Sequence, residues 1–245
     1  MKDILQDIVA HTHALGSLNL LKITATSTDT TIDSITDDRN IILYAKTHSP
    51  VKEFSGVFGM GNLDKLNLHL KNPEYKENAT LNLVEEDRNG IKYPTYIHFE
   101  NQTGDFKNDY RFVNKAIIEQ KIKNAKFKGA TWDIEFTPSI ASIARLKLMS
   151  AAHAEEPTFN VFTHANNLIF SFGDTTTHAG QFVFESNVKG TLKKTWIWPI
   201  SEIQSILNLN GDIFISISDT SLLSLLKSIS IVFVFLFSIL ILFSV

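Results

Sequence analysis

LDKLNLHL (63–70) and ISEIQSIL (200–207) are the two stretches that decide the fold. In the first, Leu63, Leu66 and Leu70 recur at i, i+3 and i+7. In the second, Ile200, Ile203 and Leu207 repeat that spacing 137 residues later. Apolar residues so spaced share one face of a helix. Working outward, the pair Ile4/Ile8 near the start is matched by Ile140/Ala144 at an offset of 136. Two helices in the same order, at a nearly constant offset, indicate an internal duplication.

The elements between the helices support this. Residues 3–15 read as an amphipathic helix stopped by Gly16, followed by alternating strands in LNLLKITAT, TTIDSIT and NIILYAKT. Asn62 caps a short helix over 62–71, and strands follow at 79–85 and 92–99 across the turn Asp87-Arg88-Asn89-Gly90. The second half opens at Thr137-Pro138 with a helix to about Ala152, its apolar face set by Ile140 and Ile143. Strands follow in TFNVFTH, NLIFSFG, AGQFVFESNV and TLKKTWIW, then a helix after Pro199 and the strand DIFISISD. Each copy is α+β. The reading places one unit at 1–105, a basic connector at 106–124, a second unit at 125–220 and an atypical apolar tail at 221–245.

Composition narrows the chemistry. The 245 residues are 44% hydrophobic and 20% charged, with no cysteine, which excludes collagen, a disulfide scaffold, thiolate zinc sites and cysteine nucleophiles. The net charge of −3 excludes a globally cationic nucleic-acid binder but leaves room for a local basic surface. Asp3 and Asp7 interrupt the apolar start, so it does not read as a signal peptide. There is no phosphate-binding loop and no nucleophile elbow. The glycines of Gly56–Gly61 are in the wrong order for a dinucleotide fingerprint and read as a turn before the 62–71 helix. His11 and His13 lack a nearby third ligand. Asp37-Asp38, Glu85-Glu86 and Glu155-Glu156 read as solvated turns. No catalytic residue, metal or cofactor is expected; the pattern suits a scaffold or a binding ring.

Five segments resemble a known family: FSGVFGMGNLDKL (54–66), HFENQTGDFKNDYRF (98–112), KFKGATWDIEFTPSIASIARLKL (126–148), LIFSFGDTTTHAGQFVF (168–184) and WIWPISEIQSILNLNGD (196–212). They are similar to the DNA polymerase sliding clamps, or processivity factors, of T-even-type tailed phages, most of all those infecting marine cyanobacteria. The resemblance implies two tandem copies of the clamp fold, with helices lining a ring and antiparallel sheets outside. It further implies a head-to-tail homotrimer around double-stranded DNA, a separate ATP-driven clamp loader, a tethered viral DNA polymerase, and action in the cytoplasm of an infected bacterium. A closed ring holds DNA topologically, so its lining needs only weak, sequence-independent phosphate contacts. The DNA-facing candidates are Lys65, His69, Lys71, Arg145, Lys147 and His13. The lysines at 121–128 belong to a connector that faces either DNA or protein partners.

The family pattern fails after Asp219. From Ser221 to Val245 there are 18 apolar residues, six serines and one charge, Lys227. The 137 offset calls for strands at about 216–236 with turns between them, but only 213–218 reads as one. The tail is open to three readings: a membrane anchor, a buried strand, or an altered carboxyl end. The last is preferred, since 17 or 18 uncharged residues barely reach the roughly 20 that span a bilayer. A membrane-anchored phage protein using a clamp-like body as a binding module is the rival function.

Overall fold

The computed structural model describes residues 1–37, 41–76, 78–88, 90–122, 132–174, 176, 178–209, 212–219, 231–235 and 239–244. The chain forms two compact units, one of Met1–Asp38 and Ile42–Ala125, the other of Lys126–Val245 with Arg39–Ile41.

In the first unit, α1 (Lys2–Thr12) runs into a 3₁₀ turn at His13–Leu15. Gly16 ends it at φ 73°, the left-handed conformation that glycine adopts without a Cβ clash. Strands β1 (Leu20–Ala25), β2 (Thr30–Ile35), β3 (Ile41–Lys46) and β4 (Gly56–Gly61) pair antiparallel in the order β4-β1-β2-β3. Burial alternates along β2 and β3, as expected for a sheet with one face on the core. Next come α2 (Leu63–Lys71), then β5 (Thr80–Arg88), β6 (Ile91–Glu100) and β7 (Lys107–Arg111) in a consecutive meander, and α3 (Lys115–Lys121).

The second unit contains β8 (Ile134–Phe136), α4 (Ile140–Ala152), β9 (Thr158–His164), β10 (Asn167–Phe172), β11 (Gly180–Glu185), β12 (Trp196–Pro199), α5 (Ile200–Leu207), β13 (Asp212–Ile217), β14 (Ile231–Phe235) and β15 (Ile239–Ser244). Its sheet β12-β9-β10-β11 reproduces β4-β1-β2-β3. The duplication is therefore one of strand pairing as well as of helix pattern. Its core is aromatic: Phe170 stacks on Phe184 with centroids 4.1 Å apart, and Phe159 and Trp198 close around them.

The offset is tighter than the sequence reading has it. On α1 the buried residues include Leu5 and Val9, and on α4 they include Ser142 and Leu146. Those pairs are 137 apart, the same offset that relates α2 to α5, so the pair Ile4/Ile8 with Ile140/Ala144 is not the structural match. β2 and β10 keep the 137 offset, while β9 lies two residues later relative to β1. A four-residue loop joins β1 to β2, but Ala165-Asn166 alone join β9 to β10, at φ 48° and 62°. The two residues gained before β9 are thus given up at a tight hairpin, which restores the register.

Several readings change. Gly56–Gly61 is strand β4, not a turn: Gly59 exchanges backbone hydrogen bonds with Val113 at 2.8 Å each way, and its bare Cα lets Ile118 pack against it. Asn62 occupies the cap position of α2 at φ 53° without a side-chain cap bond. On α4 the cap is Ser139, whose hydroxyl accepts from the Ser142 amide at 3.0 Å. Glu85-Glu86 lie in β5 at a register shift, where Ser55 donates to Glu85. Residues 106–124, read as a connector, contain β7, which pairs with β6, and α3, whose Ile118 is fully buried.

Two segments of the tail form strands. β15 pairs antiparallel with β13 through Ile215 and Ile241, and β14 pairs with β15 through Phe233 and Ile241. β14 and β15 are antiparallel neighbours although the sequence between them holds neither glycine nor proline. A strand that is apolar on both faces carries no alternation, which is why a period-two pattern misses it. The order is not that of the first unit: β6, second in its meander, is central there, whereas β15, the last strand, is central here.

Candidate nucleic-acid interface

The candidate residues lie on the helices and on the turn after α1. In the first unit α1 and α2 contact each other, as do α4 and α5 in the second. α2 buries Leu63, Leu66 and Leu70 and turns Asp64, Lys65, Leu68 and Lys71 outward. Its capping end carries Asp64 and its last turn Lys71, an arrangement that also suits the helix dipole. α1 exposes Asp3, Gln6 and Asp7, while Lys2 is tied to the Tyr75 carbonyl.

Lys65, Lys71, Arg145 and Lys147 are exposed, as the sequence reading has them. His69 is not. It is 9% exposed, its ring lies 5.1 Å from that of Phe99 and 6.3 Å from that of Tyr75, and its Nε2 has no hydrogen-bond partner among the described residues. Burial pushes its pKa down, and the nearby Lys65 ammonium adds to that. It sits at the rim of the leucine face, where β6 and the Pro73–Tyr75 turn close over it. His13 is half-buried and engaged: its Nε2 lies 2.6 Å from Asp64 Oδ1. It joins the turn after α1 to the start of α2 and is no free contact for phosphate.

On the second unit α5 exposes Ser201 and half-buries Glu202 and Ser205, adding no positive charge. α4 is the unexpected element. Its buried line is Ser142, Leu146 and Ser150, so Ile140 is 88% exposed and Leu148 71%. Ala141, Ala144 and Ala151 share that exposed face. At about 100° per residue the face is centred on these apolar positions, with Arg145 on one rim and Lys147 on the other. The reading of Ile140/Ile143 as the buried face is thus corrected. A helix with two apolar faces hides which one is buried; the sign available in the sequence was the line Ile140/Ala144/Leu148 opposite Leu146. Lys115 and Lys121 are exposed on α3, whereas Lys123, Lys126 and Lys128 lie outside the described residues.

The four helical faces therefore show exposed cations on α2 and α4 and exposed carboxylates on α1 and α2. Among the described residues no group of three or more His, Asp or Glu could hold a metal ion, and no helix is long and apolar enough to cross a membrane.

Two α+β copies with this strand order, over the full chain, make the PCNA-type sliding-clamp fold. PCNA from Thermococcus kodakaraensis superposes with a TM-score of 0.58 at 11% identity, covering 100% of this chain and 96% of that one. A structure of the C-terminal region of FEN-1 bound to A. fulgidus PCNA matches with a TM-score of 0.58 at 9% identity, over 100% and 94%. PCNA from Entamoeba histolytica matches at 0.55 and 10% identity, over 99% and 93%. No family model and no curated protein sequence matches the chain.

Proposed function

We propose that this chain is a non-enzymatic sliding clamp. Three copies close head-to-tail around duplex DNA and tether a viral DNA polymerase, after a separate ATP-driven loader has opened the ring. The observation that carries the reading is the clamp fold over the whole chain, built from two matched units. The five quoted segments, with their likeness to T-even-type phage clamps, support the phage setting and hence the cytoplasm of an infected bacterium. Lys65, Lys71, Arg145 and Lys147 are the cations that would meet phosphate; His69 and His13 are withdrawn from that set because one is buried and the other is paired with a carboxylate. A surface of this kind reads no bases, as sliding requires.

Topology supplies the test. The chain is incubated with a nicked plasmid, a T-even-type clamp loader and ATP, then passed through a gel-filtration column. Co-elution with the circular DNA, and its disappearance when the plasmid is linearised, are the expected results. Equal retention on both forms, or retention on neither, overturns the reading.

A further inference from the structure

We propose that the outer edge of β12 docks an extended peptide segment of another protein as an added strand, with apolar residues against Trp196 and Ile197 and acidic residues against Lys193 and Lys194. The site is built in the second unit alone and goes beyond the clamp reading, since neither DNA nor ring closure enters it. Among the described residues β12 is the edge of the sheet β11-β10-β9-β12. Its ladder to β9 says which backbone groups point away. The Ile200 N–H donates to the Pro157 carbonyl at 3.0 Å, in the register that pairs Trp198 with Phe159 and Trp196 with Val161. Antiparallel bonds recur at every second residue, so Trp196 and Trp198 turn their N–H and C=O to β9 and Ile197 turns both outward. Pro199, which has no N–H to offer, falls on the outward side too, where an edge strand tolerates it.

The first unit shows what such an edge takes. Its β4 pairs with β1 as β12 does with β9: Gly61 opposite Leu20 answers to Pro199 opposite Thr158, and Gly59 opposite Lys22 to Ile197 opposite Asn160. The outward groups of Gly59 are both used, in two 2.8 Å bonds with Val113. Phe112, the residue before Val113, covers Phe58 with ring centroids 4.4 Å apart. At the matching place in β12, Ile197 has no partner for its outward groups among the described residues, and its side chain is 58% exposed. Trp196, half-buried, stands where Phe58 does. An unpaired strand edge is a template for a further strand. One difference narrows the occupant. Gly59 has no side chain, which lets Ile118 of α3 lie on it; a Cβ there would come within 2.9 Å of Ile118 Cδ1. Ile197 fills the matching space, so β12 takes an extended segment and leaves no seat for a helix behind it.

Charge narrows it further. Lys193 and Lys194 precede the edge and are exposed, as is Lys189 on the same loop. Lys194 Nζ lies 3.7 Å from the centre of the Trp196 ring. The carboxylate beside them, Asp219, is engaged: it accepts from the Lys193 backbone N–H and, at 3.2 Å, from the Trp196 indole N–H. Those bonds pin the start of the strand before any partner arrives. A peptide antiparallel to β12 sets the residues that follow the one opposite Ile197 beside Trp196, Thr195 and Lys194 in turn. Its acidic residues therefore come after its apolar ones. Main-chain bonds supply the affinity and side chains the selection, while opposite charge fixes direction and register.

The probe is the synthetic peptide fluorescein-Thr-Phe-Val-Thr-Glu-Asp-Asp-amide, titrated with the full chain by fluorescence anisotropy while amide exchange is followed by NMR. In the free chain the Ile197 amide is expected to exchange faster than those of Trp196 and Trp198, and bound peptide to slow it. Methylating the peptide's valine nitrogen removes the donor aimed at the Ile197 carbonyl and should weaken binding about tenfold; methylating the next threonine, whose N–H points away, should change it by less than about twofold. Lys193→Glu combined with Lys194→Glu should weaken binding about tenfold and flatten its salt dependence. Both lysines are exposed, so the fold should survive, which circular dichroism checks. The proposal is overturned by no anisotropy change at the highest soluble concentration of chain, by equal losses from the two methylated peptides, or by binding that leaves the Ile197 amide unprotected. Unchanged binding to the double lysine variant overturns the acidic partner. An Ile197 amide protected in the free chain in proportion to its concentration gives the edge to a second copy and overturns the proposal too. Retention on circular DNA is read separately, so this site and the clamp reading can each fail while the other stands.

Discussion

His69 and His98 show how two identical side chains acquire opposite pH dependence. His98 lies on β6 with Asp109 Oδ1 2.7 Å from its Nδ1 and Glu100 Oε2 3.2 Å from its Nε2. The hydrogen bond to Asp109, with help from Glu100, raises its pKa. Its contribution is therefore present below the unfolded value near 6.5 and is lost as pH rises through the folded value. For His69 the shift is downward, from burial first and Lys65 second. Its neutral ring is accepted above about 6.5, and stability falls as pH drops toward the folded pKa, because the unfolded chain binds the proton more readily. Thermal midpoints measured from pH 5 to 8 should separate the two. His69→Phe should flatten the acid side of the curve, and His98→Gln should flatten the side above 6.5. If His69→Phe leaves the acid-side slope unchanged, the buried imidazole is not its source.

At the scale of elements, α3 is held by a contact that only glycine permits. A Cβ on Gly59 would lie 2.9 Å from Ile118 Cδ1 and 2.9 Å from Val113 Cβ. Ile118 can yield a little, but Val113 is fixed by the paired backbone bonds to Gly59. Gly59→Ala is expected to cost about 1–3 kcal/mol, as overpacking usually does, and to speed amide exchange at Ile118 and Ile122. An unchanged midpoint together with unchanged exchange would show that α3 is not seated by that glycine. The same residue shows where sequence reading stops. Glycines at 56, 59 and 61 look like a turn because their local preference is for turns; only the packing of Ile118, 59 residues away, makes a glycine necessary in a strand. α2 and α5 were legible because each has a single apolar stripe, and its burial follows. α4 was not, since both of its faces are apolar and a local pattern cannot tell which one the unit covers. His69 was misplaced for a related reason: Phe99 and Tyr75, which enclose it, come from other elements. The duplication itself was legible through spacing, and the order β4-β1-β2-β3 repeats with it as β12-β9-β10-β11, whereas the order of β13, β14 and β15 does not follow from repetition.

For the whole molecule, the decisive question is whether DNA is held by charge or by closure. These predict different responses to salt. Binding that depends on phosphate contacts loses affinity with a slope of roughly 0.9 in log K per log salt for each contact. A closed ring leaves a circle only by opening, so its retention should hardly change with salt once loading is complete. Replacing Lys65, Lys71, Arg145 and Lys147 with alanine removes the exposed helical cations of α2 and α4. In the clamp reading this variant loads poorly, and its association with linear duplex weakens, the slope falling by about 0.9 for each phosphate partner removed. Once on a nicked circle, however, it should be retained through a high-salt wash as well as the wild type. Both quantities are read from one gel-filtration series at increasing salt, on circular and on linear DNA. Retention on circles that falls with salt as steeply as binding to linear DNA would mean that charge alone holds the chain on DNA. The weak net charge of −3 and the exposed carboxylates Asp3, Asp7 and Asp64 on α1 and α2, the helix pair that carries Lys65 and Lys71, argue against that outcome, since a surface so nearly balanced is poorly suited to hold DNA by attraction alone.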